Sequence, residues 1–177
     1  MRAAVAAPFL FACTLAAQTL PAIKPGDTCE ALRATYGQES QTDGPAHIWK
    51  LQSASVHVLV KPGGPCVAGS VQFSADPGHT FRTRDGIALG RDTVAEASVK
   101  LKGHINPTSF YFLRGEGKAY AMLVVPPTPA FPYKSTYGWE LNPAAASRLQ
   151  APPKLTDFTS EPVTFYSLDA PDPREMQ

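Results

Sequence analysis

The chain has 177 residues, 44% of them hydrophobic and 18% charged, with 16 Lys and Arg against 15 Asp and Glu. That apolar content suffices for one compact domain or two small ones, and the charge is too low for a charge-rich disordered chain. The outlier is proline, with 18 residues where average usage gives roughly nine.

Met1-Arg2 precedes an apolar run from Ala3 to Ala17 broken only by Pro8 and Thr14. A basic residue, a short apolar stretch and small residues after it form the pattern of a secretory signal over residues 1–17. The run falls short of the roughly 20 residues of a membrane span, and no transmembrane segment is expected elsewhere. Leu10-Phe11-Ala12-Cys13 loosely resembles the box before a lipidated cysteine. Phe11 fits poorly there and Cys13 comes early, so no lipid anchor is expected. Without residues 1–17 the chain balances at 15 basic and 15 acidic residues, and no two Lys or Arg are adjacent. That excludes the electrostatic footprint of a nucleic-acid binder. The chain reads as exported, periplasmic or secreted. Cys29 and Cys66 then remain, and two thiols in an exported chain most simply pair as one disulfide. No CxxC or HxH spacing supports zinc, so neither a metal nor another cofactor is expected.

After the signal, Ile23 to Gly37 carries helix signals: Asp27 as a cap, Glu30 three residues on, and Gly37 as a stop. Cys29, Leu32 and Tyr36 share one helical face. Strand-like runs follow at 47–52, 55–61 and 66–74, with Trp49 and Leu51 on one face, Val56, Val58 and Val60 on one side, and Val67, Val71 and Phe73 on a common side. Ile87 to Gly103 repeats the first segment: Ile87-x-x-Gly90 matches Ile23-x-x-Gly26, and Asp92-Thr93 matches Asp27-Thr28. Thr93 and Glu96 form a capping box, and Val94, Ala97 and Leu101 repeat the apolar face. Strand-like runs return at 110–113 and 118–125. Ten of the 18 prolines lie from Pro126 onward, favouring extended loops and edge strands. Runs at 137–141 and 163–168 are the remaining strand candidates, and 142–149 reads as a short helix.

The predicted fold is therefore α+β, with two tandem units that each pack a short helix on a small antiparallel meander. The first unit spans 18–80 and the second spans 81–169 with a proline-rich insertion, leaving 170–177 as a flexible tail. The repeated Ile-x-x-Gly, Asp-Thr, first-turn acid, apolar face and terminal glycine resemble an exported α+β module. That module occurs in tandem in β-lactamase-inhibitor-protein-like domains and singly in small lipoproteins that assist outer-membrane assembly. The resemblance covers roughly residues 23–125 and is clearest at 87–103. It implies a binding or assembly role without naming a partner. The chain departs from the pattern in its proline-rich insertion and in the cysteine on the first helix.

No catalytic constellation stands out. His47 and His57 lie on different predicted strands with no acidic or cysteine partner in either, and are expected to face solvent. Asp76-Pro77-Gly78-His79 reads as a turn. Glycines do not flank any serine as a nucleophile elbow requires. Phe131, Tyr133, Tyr137 and Trp139 crowd the proline-rich stretch. They either fold back as a lid over the second sheet or present a contact surface, and they are the candidate interaction residues. The reading is a non-enzymatic exported protein that binds a protein or envelope component through a sheet face or this aromatic loop. The alternatives are a small exported hydrolase without a local motif and a purely structural envelope protein.

Overall fold

The computed structural model describes residues 18–60, 63–115, 118–141 and 153–170. The expected signal segment, the expected helix at 142–149 and the expected tail beyond Ala170 lie outside them.

Two short helices start at the matched Asp-Thr pairs. In α1 (Cys29–Tyr36) the cap is Thr28, whose hydroxyl accepts from the Ala31 N–H at 3.2 Å. Asp27, expected as the cap, instead accepts from the Lys24 N–H at 2.9 Å. In α2 (Val94–Lys100) Thr93 and Glu96 form the expected reciprocal capping box. Both helix starts are tied down by the same backbone pattern. Gly26 N–H donates to Ala68, Ala68 to Asp27, and Cys29 to Cys66. Gly90 N–H donates to Val163, Val163 to Asp92, and Val94 to Glu161. At Gly90 the φ of +80° and a backbone oxygen 2.8 Å from where a Cβ would sit leave room for glycine alone.

The strands are β1 (Gln18–Thr19), β2 (Gln41–Asp43), β3 (Ala46–Lys50), β4 (Ala54–Val60) and β5 (Ala68–Ala75). Then come β6 (Phe81–Arg82), β7 (Ala88–Leu89), β8 (Phe110–Gly115), β9 (Lys118–Val125), β10 (Lys134–Leu141) and β11 (Phe165–Asp169). Eight of them form one sheet in the order β2-β3-β4-β5-β11-β10-β9-β8, and β1-β6-β7 form a second, small sheet. Every pairing in the large sheet is antiparallel.

This overturns the predicted pair of α+β units. The protein is mostly β, and its two helices are short elements beside one continuous sheet. The cause is the last strand. β11 returns past the proline-rich stretch and pairs on one side with β10 and on the other with β5, from Phe165 opposite Ser74 to Asp169 opposite Ser70. Two separate meanders thereby become a single surface. The small sheet also crosses the expected division, because β1 pairs in parallel with β6.

Strand alternation sends one set of side chains to a common core. Trp49, Val56, Val58, Val71, Phe73, Leu123, Trp139 and Leu168 meet Leu32 of α1, Val94, Ala97 and Leu101 of the α2 segment, and Ile87 and Leu89 of the small sheet. Helices and small sheet thus cover one face of the large sheet.

The two buried tryptophans differ in one bond. Trp49 Nε1 donates to the Gly37 carbonyl at 2.9 Å, tying β3 to the end of α1, whereas Trp139 Nε1 finds no acceptor among the described residues. Both substitutions to Phe remove similar volume, but only Trp49→Phe leaves a carbonyl unpaired. Urea unfolding should show Trp49→Phe costing about 1–3 kcal/mol more than Trp139→Phe; equal losses contradict this assignment.

Candidate functional site

With one face of the sheet sealed, the other face carries the remaining side chains of every strand. On the β3–β5 half it is mixed: Lys50, Ser55, His57, Ser70, Gln72 and Ser74 point outward by alternation from the buried set, together with Ile48 and the 47% exposed Leu59. Burial and the neighbouring Lys50 charge push the His57 pKa below its ordinary value of 6.5, so this imidazole is neutral at pH 7. On β8 and β9 the outward residues include Tyr111, Leu113, Tyr120, Met122 and Val124, while β10 adds Lys134, Thr136 and Glu140, the last paired with Lys118 of β9. Tyr111 and Leu113 are 50% and 56% exposed.

These residues border a groove of about 580 Å³. Its lining includes Tyr111, Leu113, Met122 and Val124, with the Asn106–Ser109 turn, Pro126 and Pro127 also contributing. Lys134 and Asp169, register partners on β10 and β11, bring one charge of each sign to it. Asn106 holds the turn rigid by accepting from the Thr108 N–H at 2.9 Å and its hydroxyl at 2.6 Å. β8 ends the sheet, so its outer backbone edge has no strand partner among the described residues. The arrangement offers apolar contact area, a backbone edge and one charge pair.

Between the two halves, Phe165 lies flat over Gly138. A Cβ at Gly138 would sit 2.0 Å from the Phe165 ring. Gly138→Ala should therefore destabilise by about 1–3 kcal/mol. In a Phe165→Ala background the same change should be neutral or stabilising, because glycine weakens a strand interior. Urea unfolding of the four proteins measures this reversal, and a constant cost in both backgrounds excludes it.

The four predicted aromatic residues do not form one exposed loop. Tyr137 and Trp139 lie on β10, facing inward, and both are 0% exposed. Tyr137 donates to Asp85 and packs against Tyr166 at 4.9 Å, and burial raises its phenol pKa. Buried this way, neither touches a partner. Their two-residue spacing, shared with Ser135 and Leu141 on the same face, was the signal for a core strand. Phe131 and Tyr133 are half-buried and pack edge to face at 5.2 Å, with the Arg84 guanidinium 3.6 Å from the Phe131 ring centre. They border a cleft of about 400 Å³ with Leu20, Ile23 and Tyr166.

A second cluster lies at the start of α1. The predicted Cys29–Cys66 disulfide is present, with Cα atoms 5.4 Å apart. Closing a loop of this length stabilises by about 3–4 kcal/mol on the chain-entropy model. His47, expected to face solvent, points inward with Trp49, two residues on in the same strand. Its Nε2 is 3.8 Å from Cys66 Sγ and its Nδ1 3.1 Å from Glu39 Oε1. Arg33 grips Glu39 with two bonds, at 2.8 and 2.6 Å. The missing acid and cysteine partners come from loops rather than from the neighbouring strand, which pattern reading along strands does not detect. With the bridge opened, Cys29, His47 and Cys66 are the residues able to ligate a metal ion, their donor atoms lying within 4.8 Å of one another.

The Arg33 hydrogen bond, backbone hydrogen bonding and His47 hold the Glu39 carboxyl down at about 2, against an ordinary 4.5. A depressed carboxyl stabilises the fold above pH 4.5 and loses that contribution as the pH falls towards 2. Thermal midpoints measured from pH 6 to pH 2 should fall across that window, and Glu39→Gln should flatten the fall. Parallel curves for the two proteins contradict the assignment.

No protein-family model matches the chain, and no curated protein does. Among solved structures, a cysteine-rich secretory protein from Staphylococcus aureus subsp. aureus Mu50 is similar over 87% of this chain and 48% of its own, at 12% identity and a TM-score of 0.43. The chain spans about half the length of that protein. Among the described residues, no helix is long and apolar enough to cross a membrane.

Proposed function

We propose that this protein is an exported binding protein that seats a protein partner on the open face of its large sheet, against the groove beside β8. The observation that carries the reading is the contrast between the two faces. One is sealed by helices, while the other keeps Tyr111 and Leu113 half exposed beside an unpaired strand edge. Aromatic and aliphatic anchors next to a backbone edge suit a partner that supplies both a side chain and a strand. The disulfide supports an oxidising, exported location, periplasmic or secreted. A binding role is also what the sequence resemblance to β-lactamase-inhibitor-protein-like domains implies. The groove's charged side chains are a single Lys and a single Asp beside apolar walls, which favours contact over hydrolysis.

The test is capture from envelope and extracellular fractions on immobilised protein. A protein held by the wild type should be lost at least about tenfold with Tyr111→Ser/Leu113→Ser, the loss expected when central anchors are removed. It should be kept by Val99→Ser, a change at a 74% exposed residue of α2. Equal capture by all three proteins overturns the proposal.

A further inference from the structure

The covered face of the large sheet is open at the joint between its halves. There Phe73 of β5 and Tyr166 and Leu168 of β11, all buried, form the floor of the cleft of about 400 Å³. The half-buried Leu20, Phe131 and Tyr133 also line it. Its volume falls in the roughly 300–1,000 Å³ range of small-molecule sites. Polarity runs from inside to outside: the floor is apolar, while the exposed lining residues include Lys24, Arg82 and Arg84 and no carboxylate. The three cations are not equivalent. Lys24 pairs with Asp27 at 3.4 Å, and Arg84 pairs with Asp85 at 2.8 Å while lying over the Phe131 ring. Arg82 instead donates to a carbonyl, that of Gly86, at 3.1 Å. Lys100 reaches the same carbonyl but is balanced by its own partner, Asp92. The positive charge left over at the cleft therefore sits on Arg82.

We propose that this cleft binds a small monocarboxylate with an apolar chain, the chain lying on the aromatic and aliphatic floor and the carboxylate meeting the Arg82 guanidinium. The charge complementarity selects the class of ligand. A guanidinium carries its donors in a planar fork that matches a carboxylate, and the Gly86 carbonyl holds the Arg82 fork from one side while leaving further N–H groups to donate. One unbalanced positive charge suits a single negative one. A cationic ligand fits poorly, because Arg84 already covers the Phe131 ring and the carboxylates of Asp27 and Asp85 are already paired. A neutral chain gains the floor but leaves Arg82 without an anion. The walls are set before a ligand arrives: Phe131 and Tyr133 pack edge to face, and Arg84 is held by both Asp85 and the ring. Such preorganisation lowers the ordering cost of binding. The cleft lies on the face that carries the core, opposite the groove beside β8, so this site is independent of the protein partner proposed there.

Titration calorimetry of the full chain with octanoate at neutral pH tests this, with octan-1-ol, octyltrimethylammonium and acetate as comparison ligands. Octanoate should bind saturably, while octan-1-ol and octyltrimethylammonium should bind at least about fivefold more weakly, the loss expected when a charge-assisted hydrogen bond goes unmade. Acetate, which has the charge without the chain, should give no measurable binding. Arg82→Gln, a change at an exposed residue, should weaken octanoate by a similar factor and leave octan-1-ol where it was. Tyr133→Ser should weaken both, and Leu20→Ser serves the same purpose if Tyr133→Ser fails to give native circular dichroism. Leu113→Ser, in the groove beside β8, should bind octanoate as the wild type does. The proposal is overturned if wild type does not bind octanoate saturably, or if the alcohol or the ammonium compound binds as tightly. It is equally overturned if Arg82→Gln retains wild-type affinity for octanoate, or if Leu113→Ser loses it.

Discussion

The antiparallel ladder between β5 and β11 is the joint on which the architecture rests. Five residues on each side, 70–74 and 165–169, connect the strands that follow α1 to the strands that follow α2. Without it the molecule has two four-stranded sheets, each exposing a long edge where β5 or β11 now finds its neighbour. With it, Val71 and Phe73 stand opposite Leu168 and Tyr166 on the inner face, and the Phe73 and Tyr166 rings stack at 6.1 Å. The ladder therefore sets both backbone continuity and the core beneath it. It is also non-local, closing about 90 residues of chain, and pairings of that kind form late in folding because loop closure precedes the contacts that reward it.

The joint also divides labour. One face takes the helices, the small sheet and nearly all the large side chains, so it is committed to stability. The other is free to differ along its length, and it does: mainly polar residues around Leu59 over β4 and β5, aromatic and aliphatic ones over β8 and β9. The disulfide cluster sits at the start of α1, on the sealed side, well away in the sheet order from the groove beside β8. The covalent bridge and the open sheet edge thus belong to different elements, and neither constrains the residues of the other.

Local features of the fold were legible in the sequence because local physics decides them. The Thr93–Glu96 capping box, the apolar faces of both helices and the inward Val56, Val58, Val71 and Phe73 follow from spacings of three, four and two residues. The disulfide followed from counting thiols. The sheet's strand order was not legible, since nothing in residues 163–168 states that they pair with residues 70–74 as well as with β10. The run at 137–141 was legible as a strand, but the prolines before it left Tyr137 and Trp139 open as either a lid or a contact surface, and their burial depends on pairing with both β9 and β11. His47 shows the same limit. Its side-chain direction was available from Trp49 two positions on, but the approach of Glu39 and Cys66 depends on how two loops return to β3.

The contact between Phe165 and Gly138 has a consequence for how such a sequence drifts. The two positions lie 27 residues apart on adjacent strands, and the ring occupies the space that any side chain at 138 would need. Position 138 has room to grow only once position 165 has shrunk. Across related chains, an aromatic residue at 165 should travel with glycine at 138, and a larger residue at 138 with a small one at 165. Such a covarying pair marks the β10–β11 register from sequence alone, next to the ladder that joins the two halves of the sheet.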